Sequence, residues 1–581
     1  MSAAAESLDF VLIGRGTLAL GCCKLLAERG LPLRAVVSDD EALQQWAKSA
    51  AVPCLPVPAD LAGMAWEGSA PVLLSIANEQ LISPSVLELF THAINFHDGP
   101  LPRYAGSHVT SWALMARERT YAVSWHHMTS YADAGDILLQ ASVPITANET
   151  ALTLNAKCHD AALESFPLLV EGLIRNEFTG YKQNLSQRTF FPRDRRPDNA
   201  ATLDWNREAD DLSALVRALN FGPYVNRLGL PKLWFGEAFV AVQSLNVRAA
   251  RSTATPGTVV SVTQESLVVA TVSHDVALRN FLSLDGRALS VTQLVKMFAL
   301  REGMALPTPS QASPGTAAAV HACGWKHEAA WMDMFKGLKP LGLPLRTAER
   351  CGSAAGDYVV LPAIKSKLPA SQDAGDFALV VVLAYLARVS GAEVFDIGLK
   401  CNKTDPPSDG ANALLASTRP FSVALDLNEP FERFRQGCMV RLAAWRSRKA
   451  YLRDAVMRYP GLVRPRGWND FCSWPISVDM DGVATGNTWR TSALESSSAL
   501  TFDITAETGQ VTLAHKGLEV WQLDQLLAQL TTLAEDCLER PGSPLASLAL
   551  LSSPYRATLQ RAVLRPPATQ QANTNCTLDL R

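Results

Sequence analysis

Hydrophobic and polar positions along the chain follow two rhythms. Near the N-terminus an unbroken apolar run, Phe10 to Ile13, meets the glycines Gly14 and Gly16. Apolar positions spaced by three and four then predict a helix ending before Gly30. A strand, a tight turn and a helix in that order predict the opening of a doubly wound α/β sheet, a Rossmann-like arrangement. Further strand-like runs stand at 33–38, 72–76, 93–97 and 121–127, with helical patterns between several of them, as a parallel sheet requires. Function in such a sheet belongs at the carboxyl ends of the strands.

An amphipathic helix is expected from about Asn148 to Phe178, followed by a polar, proline-interrupted stretch that places a boundary near 185–200. A helix around Ala209 to Asn220 then leads into short strand candidates at 232–247, 257–263 and 266–274, which predict a small OB-like β-barrel. Residues 306–320 are rich in Pro, Ser and Ala and read as a linker. Beyond it, 376–391 is an apolar helix candidate. Two alternating runs around Glu507-Thr508-Gly509 predict a hairpin, and 520–539 shows helical apolar spacing. The expected division is therefore 1–185, a Rossmann-like catalytic domain; 186–305, a barrel subdomain; 306–320, a linker; and 321–581, an α+β domain.

Composition narrows the classes. The 581 residues are 48% apolar and 19% charged, an ordinary globular balance that excludes disordered and collagenous chains. With 53 Lys plus Arg against 56 Asp plus Glu, the chain has no global electrostatic footprint for nucleic acid. Eleven cysteines without a C-x-x-C spacing suggest neither a disulfide framework nor a zinc site, so a reducing cytoplasm and no metal are expected. The longest apolar run, Phe377 to Ala387, is too short to span a bilayer. Gly14, Gly16 and Gly21 miss the G-x-G-x-x-G register, which leaves a tight strand-to-helix turn. Phosphate-loop, G-x-S-x-G and H-E-x-x-H patterns are lacking.

Six of the ten histidines fall before residue 160. Asn95 and His97, two apart on one strand, share a face and can address one substrate atom. The stretch Asp98 to Pro102 stops that strand and forms a loop suited to lining a pocket with backbone groups. Farther on, a second strand end brings the carboxylates Asp133 and Asp136. Alternation sends His126 and His127 to opposite sides, and both are read as structural; Asp136 is read as an orienting group or a loop cap.

The segment INFHDGPLPRYAG (94–106) followed by ADAGDILLQ (132–140) resembles the signature of the folate-dependent formyltransferases, a family that includes the methionyl-tRNA and aminosugar formyltransferases. Residues 203–234 also resemble the family's entry into its C-terminal barrel, so the likeness covers roughly residues 8 to 300. The resemblance implies Asn95, His97 and Asp133 as the catalytic trio. It also implies Gly99, Pro100, Leu101 and Pro102, with Thr129, Ser130, Tyr131 and Ala132, as the loops that hold 10-formyltetrahydrofolate. Aminosugar members carry an arginine where this chain has Ser107. The chemistry agrees: an amine attacking a formyl carbonyl needs a fixed neutral donor for the developing oxyanion, which Asn95 provides. It also needs a proton shuttle near neutral pH, suiting His97, and a carboxylate to orient it, suiting Asp133.

Residues 327–345, 472–482, 498–516 and 544–563 together resemble the second lobe of a condensation domain of nonribosomal peptide synthetases, although the H-H-x-x-x-D-G element has no counterpart here. A non-catalytic spacer beside an adenylation and a carrier domain is the resulting expectation. Lys182, Arg188, Arg193, Arg195 and Arg196 form a local basic cluster that is either solvated linker or a seat for an acceptor's phosphate. The expected function is N-formyl transfer to an amino acid or a carrier-bound aminoacyl amine. A deformylase, an aminosugar formyltransferase and a catalytically silent scaffold are the alternatives.

Overall fold

A computed structural model of the chain describes residues 8–64, 70–178, 180–236, 238–308, 324–342, 358–361, 365–369, 372–401, 411–465, 468, 471, 474–480, 500–515 and 518–552. The chain divides into two compact units. The first comprises Met1–Leu282, Ala288–Pro314 and Arg458–Pro460; the second comprises Ser283–Arg287, Gly315–Met457 and Gly461–Arg581. Most of the expected linker, from 309 to 320, lies outside the described residues.

In the first unit, strands β1 (Leu8–Gly14), β2 (Leu33–Val37), β3 (Cys54–Leu55), β4 (Ala70–Ile76), β5 (His92–His97), β7 (Thr120–His127) and β8 (Ile137–Pro144) form one sheet in the order β3-β2-β1-β4-β5-β7-β8. The apolar run of β1 is continuous because both faces of the sheet are covered. Phe10 and Leu12 join a core with helices α1 (Gly16–Glu28) and α5 (Ala151–Ile174), while Val11 and Ile13 join a second core with Leu61, Val86 and Phe90. At the end of β1, a Cβ on Gly14 would lie 2.1 Å from the Ile76 carbonyl oxygen, so glycine is what lets β1 and β4 close together.

The expected parallel sheet is found in its first five strands, and its far edge turns antiparallel. β1 to β5 run parallel, but β7 is antiparallel to β5 and β8 is antiparallel to β7. Apolar alternation reports which face is buried and carries no information on direction. The antiparallel pairing has a functional consequence, because it sets Asn95 opposite His126. A short parallel pair, β6 (Ala105–Gly106) with β9 (Phe190–Phe191), lies off the main sheet, and helix α4 (Val109–Met115) follows β6.

Where the sequence predicts a barrel, the pairings give a six-stranded sheet. It runs β10 (Lys232–Trp234), β11 (Phe239–Val247), β14 (Val276–Ser283), β13 (Leu267–Val269), β12 (Val259–Val262), with β15 (Ala288–Leu289) on β14. The helix expected near 209–220 is Ala209–Ala218.

The second unit is built on a mixed sheet of β16 (Tyr358–Leu361), β17 (Val394–Lys400), β18 (Thr418–Ala424), β19 (Ile476–Asp479), β20 (Leu500–Thr505) and β21 (Gln510–His515), ordered β16-β21-β20-β19-β17-β18. β20 and β21 form the expected hairpin, with Thr505 opposite Gln510 and Gly509 at φ +67° in the turn. The apolar segment after Asp376 is a helix, Ala374–Ser390, buried nearly all round, and Val520–Glu539 is a second helix with an amphipathic face. Among the described residues, no helix is long and apolar enough to cross a membrane.

Candidate active site

The site is built on one face of the sheet where β5 meets β7. Asn95 and His97 lie on that face by strand alternation, and pairing in register brings His126 directly opposite Asn95. The side chains meet: Asn95 Nδ2 lies 3.2 Å from His126 Nε2, and the His97 and His126 rings stand edge to face at 6.5 Å. Asp133 arrives from the loop between β7 and β8. Its Oδ1 sits 3.6 Å from His126 Nε2 and 3.7 Å from His97 Nδ1. The result is a continuous polar row, Asn95, His126, Asp133, His97, in which both imidazoles are buried.

Hydrogen bonding assigns a tautomer to each ring. His97 Nε2 is 2.7 Å from the Tyr104 carbonyl oxygen, which can only accept, so Nε2 carries the proton and Nδ1 presents its lone pair toward Asp133. His126 Nδ1 donates to the His127 carbonyl oxygen at 2.8 Å, leaving Nε2 to accept from the Asn95 amide. One Asn95 N–H is thereby held, and the other has no partner among the described residues. Asp133 and, at 4.0 Å, Asp98 lie near His97 Nδ1 but beyond hydrogen-bond distance, and among the described residues this nitrogen has no hydrogen-bond partner.

Asp133 adopts φ +54°, the left-handed region that aspartate tolerates better than most residues. Its loop is pinned from outside. Gly106 N–H donates to Asp133 Oδ2 at 2.8 Å, Gln183 Nε2 donates to the carbonyls of Asp133 and Gly135 at 3.0 and 2.6 Å, and Arg188 donates to the Ala132 carbonyl at 2.8 Å. Burial pushes the Asp133 carboxyl upward, but the attraction of His97 and His126 in their protonated forms, with the Gly106 amide, outweighs it and holds the group far below the usual carboxylate range. It is an anion at any physiological pH.

The loop Gly99–Pro102 is equally fixed. Ser124 Oγ donates to the Gly99 carbonyl at 2.7 Å and accepts from the Leu101 amide at 3.2 Å; Gln140 Nε2 bonds both Ser124 Oγ and the Leu101 carbonyl, at 2.8 and 3.0 Å. Gly99 is required here, since a Cβ would fall 2.8 Å from His97 Nε2 and 2.7 Å from the Tyr104 carbonyl oxygen. Across the site, Thr129 folds back on the Tyr131 backbone, and the Tyr131 side chain is 75% exposed, an apolar surface open at the rim.

His126 is the residue that sequence reading set aside as structural. Alternation showed that it and His127 diverge, and only the strand partner shows which one meets Asn95. His127 lies on the other side, stacked on His92 at 5.7 Å, with burial lowering its affinity for a proton and the charge of Asp136 opposing that effect. Neither joins the row. Ser124, Gln140 and Gln183 were also missed, being single polar residues without a motif. The basic stretch is not free linker either: Arg188 holds the Asp133 loop, and the Arg195 guanidinium lies 4.8 and 4.9 Å above the Trp112 and Phe191 rings.

Residues 60–170 match the family model described as formyl transferase, and residues 197–299 match the formyl transferase C-terminal domain. These two stretches thus match the N- and C-terminal domains of formyltransferases, and the polar row falls within the first of them. Among solved structures, it is similar to WlaRD, a sugar 3-N-formyltransferase determined in the presence of dTDP and 5-N-formyl-THF. That match has 14% identity and a TM-score of 0.39 over 47% of this chain and 98% of the other. It is similar to an N-formyltransferase from Helicobacter canadensis in complex with folinic acid and dTDP-3-aminofucose, at 16% identity and a TM-score of 0.39 over 47% and 99%. It is also similar to HypX from Aquifex aeolicus in complex with tetrahydrofolic acid, at 15% identity and a TM-score of 0.35, covering 50% of this chain and 47% of HypX.

Proposed function

We propose that this enzyme moves a formyl group from 10-formyltetrahydrofolate to an amino group, with Asn95, His97 and Asp133 as its catalytic residues. The observation that carries the reading is the convergence of an unspent Asn95 N–H and a bare His97 Nδ1 on one face, between the fixed loop Gly99–Pro102 and the loop Thr129–Ala132. These groups fit a formyl carbonyl and an amine meeting there. The folate supplies an activated formyl group on a nitrogen. Asn95 aims its free N–H at the oxygen where negative charge develops, held in place through its other N–H by His126. As the amine nitrogen bonds the formyl carbon, His97 Nδ1 takes the proton that the amine gives up, the charge of Asp133 steadies the resulting imidazolium, and that proton passes to the folate nitrogen as its bond to the formyl carbon breaks. In this reading the loops Gly99 to Pro102 and Thr129 to Ala132 hold the folate, with Tyr131 at the rim.

The acceptor in this reading is the amine of an amino acid or of a carrier-bound aminoacyl group in peptide synthesis. The resemblance of residues 327–345 and 498–516 to a condensation lobe supports that setting, with the second unit as a spacer.

The test is an acceptor screen. The chain is incubated with 10-formyltetrahydrofolate and free, carrier-bound, sugar and tRNA amines, and products are weighed for an added formyl group. Formylation of an amine is expected. Release of formate without any amine would make the protein a deformylase, and no turnover with no folate binding would make it a scaffold.

A further inference from the structure

His97 Nδ1 has a second carboxylate beside it. Strand β5 ends at His97, and the turn that follows brings the next side chain back toward the row, with Asp98 Oδ1 4.0 Å from Nδ1. The two carboxylates differ in what they are free to do. Asp133 is 13% exposed and already committed, its Oδ2 to the Gly106 amide and its Oδ1 beside His126. Asp98 is 42% exposed, and among the described residues its own backbone amide is the one hydrogen-bond donor within its reach. Partial burial raises its carboxyl above the ordinary carboxylate range, with Asp133 adding to that and His97 opposing it, which makes Asp98 a stronger base than a fully solvated aspartate. Tyr121 of β7 and Cys158 of α5 also feel its charge, but both hold their own protons far above neutral pH.

Proton accounting leaves a task for such a base. An aliphatic amine meets a protein at neutral pH as its ammonium, and formyl transfer strips two protons from that nitrogen. The first must go before the lone pair can attack, and the second goes as the bond to the formyl carbon forms. The folate nitrogen takes back one proton when its own bond to the formyl carbon breaks, so the other must reach solvent. His97 is 5% exposed and handles the proton that ends on the folate. The remaining proton needs a base that is open to water and close to the same nitrogen.

We propose that Asp98 is a further catalytic residue, whose carboxylate pairs with the acceptor's ammonium, takes its first proton and releases it to water. This rests on the formyl-transfer reading, and it deepens that reading by naming the acceptor as a cationic primary amine. A nitrogen about 2.8 Å from both Asp98 Oδ1 and His97 Nδ1 spans the 4.0 Å between them, so one ammonium can address both bases. The ion pair also draws the cation to the one place where its lone pair, once freed, lies beside His97. Asp133 stays out of this exchange, because its oxygens are already held.

Two small probes of similar size test this in the full chain: methylamine, an ammonium from about pH 7 to pH 9, and methoxyamine, neutral over that range. Formyl transfer from saturating 10-formyltetrahydrofolate is followed by mass as kcat/KM for each amine. Asp98→Ala is expected to lower the value for methylamine at pH 7 by about tenfold or more and that for methoxyamine by less than threefold. In Asp98→Ala the methylamine value should climb about tenfold per pH unit, because only the free base reacts, whereas the wild type should stay nearly flat. Asp98→Glu should recover much of the methylamine rate, folate affinity should be unchanged in both variants, and His97→Ala should slow both amines alike. Equal losses for the two amines in Asp98→Ala, or no loss for methylamine, would overturn the proposal while leaving formyl transfer in place. A wild type that formylates no amine, here or in the acceptor screen, would remove the formyl-transfer reading and this proposal with it.

Discussion

In the proposed mechanism His97 works through Nδ1, because its other nitrogen is committed to the Tyr104 carbonyl oxygen. Replacing Asn95, His97 or Asp133 with alanine should each lower turnover by ~10² or more with folding retained, since oxyanion donation and proton transfer each contribute about that much. Single-turnover rates at saturating folate check this. His126 acts one step removed, by holding the Asn95 amide. His126→Ala should lower kcat about tenfold with little change in KM, and His126→Gln, whose amide oxygen can still accept from Asn95, should recover much of the loss. His108 contributes a pH dependence. Its folded pKa lies below that of an unfolded histidine, so the unfolded chain takes up the proton first as the pH falls. Stability should drop between about pH 6.5 and pH 4, by up to about 3 kcal/mol. His108→Asn, which suits the local φ of +56°, should flatten that limb in urea unfolding curves measured across the range.

Among elements, the loop Gly99–Pro102 depends on β7 and β8 for its shape, through Ser124 and Gln140. Ser124→Ala removes a hydroxyl that serves three partners at a buried position. Folate affinity should fall about tenfold, at about 1 kcal/mol for each lost hydrogen bond and partial compensation by neighbours. The rate at saturating folate should change much less, because the polar row is untouched. Folate titration beside single-turnover rates separates the two. The positions of β1, β2, β4, β5 and β7 were legible from their apolar runs, and so were Asn95 and His97 as a pair. The direction of β7 was not, and with it went the role of His126: a strand of the same composition can run either way, and one residue of register separates His126 from His127.

At the scale of the whole molecule, all the residues of the polar row lie before residue 140, within the first unit. A fragment ending near residue 310 should therefore retain formyl transfer to a small amine within a few-fold of the full chain, as measured by mass. It would lack Arg458, whose backbone and guanidinium bond Asn226 at 3.0 and 2.8 Å within the first unit. The fragment should accordingly melt at a lower temperature, the loss of a charged buried partner being worth about 1.5–3 kcal/mol. Loss of transfer in a folded, folate-binding fragment would show that residues beyond 310 complete the site.

Local pattern in the chain was enough to place the opening strand and helix, the hairpin around Gly509, the Asn95 and His97 pair and the two formyltransferase motifs, because alternation, turn chemistry and short spacings act between residues close in sequence. The mixed direction of the sheet, the choice of His126 over His127 and the clamps on both loops came from contacts between segments distant in the chain. Such contacts depend on which strand pairs with which and in what register, and that is settled by the packing of the whole core.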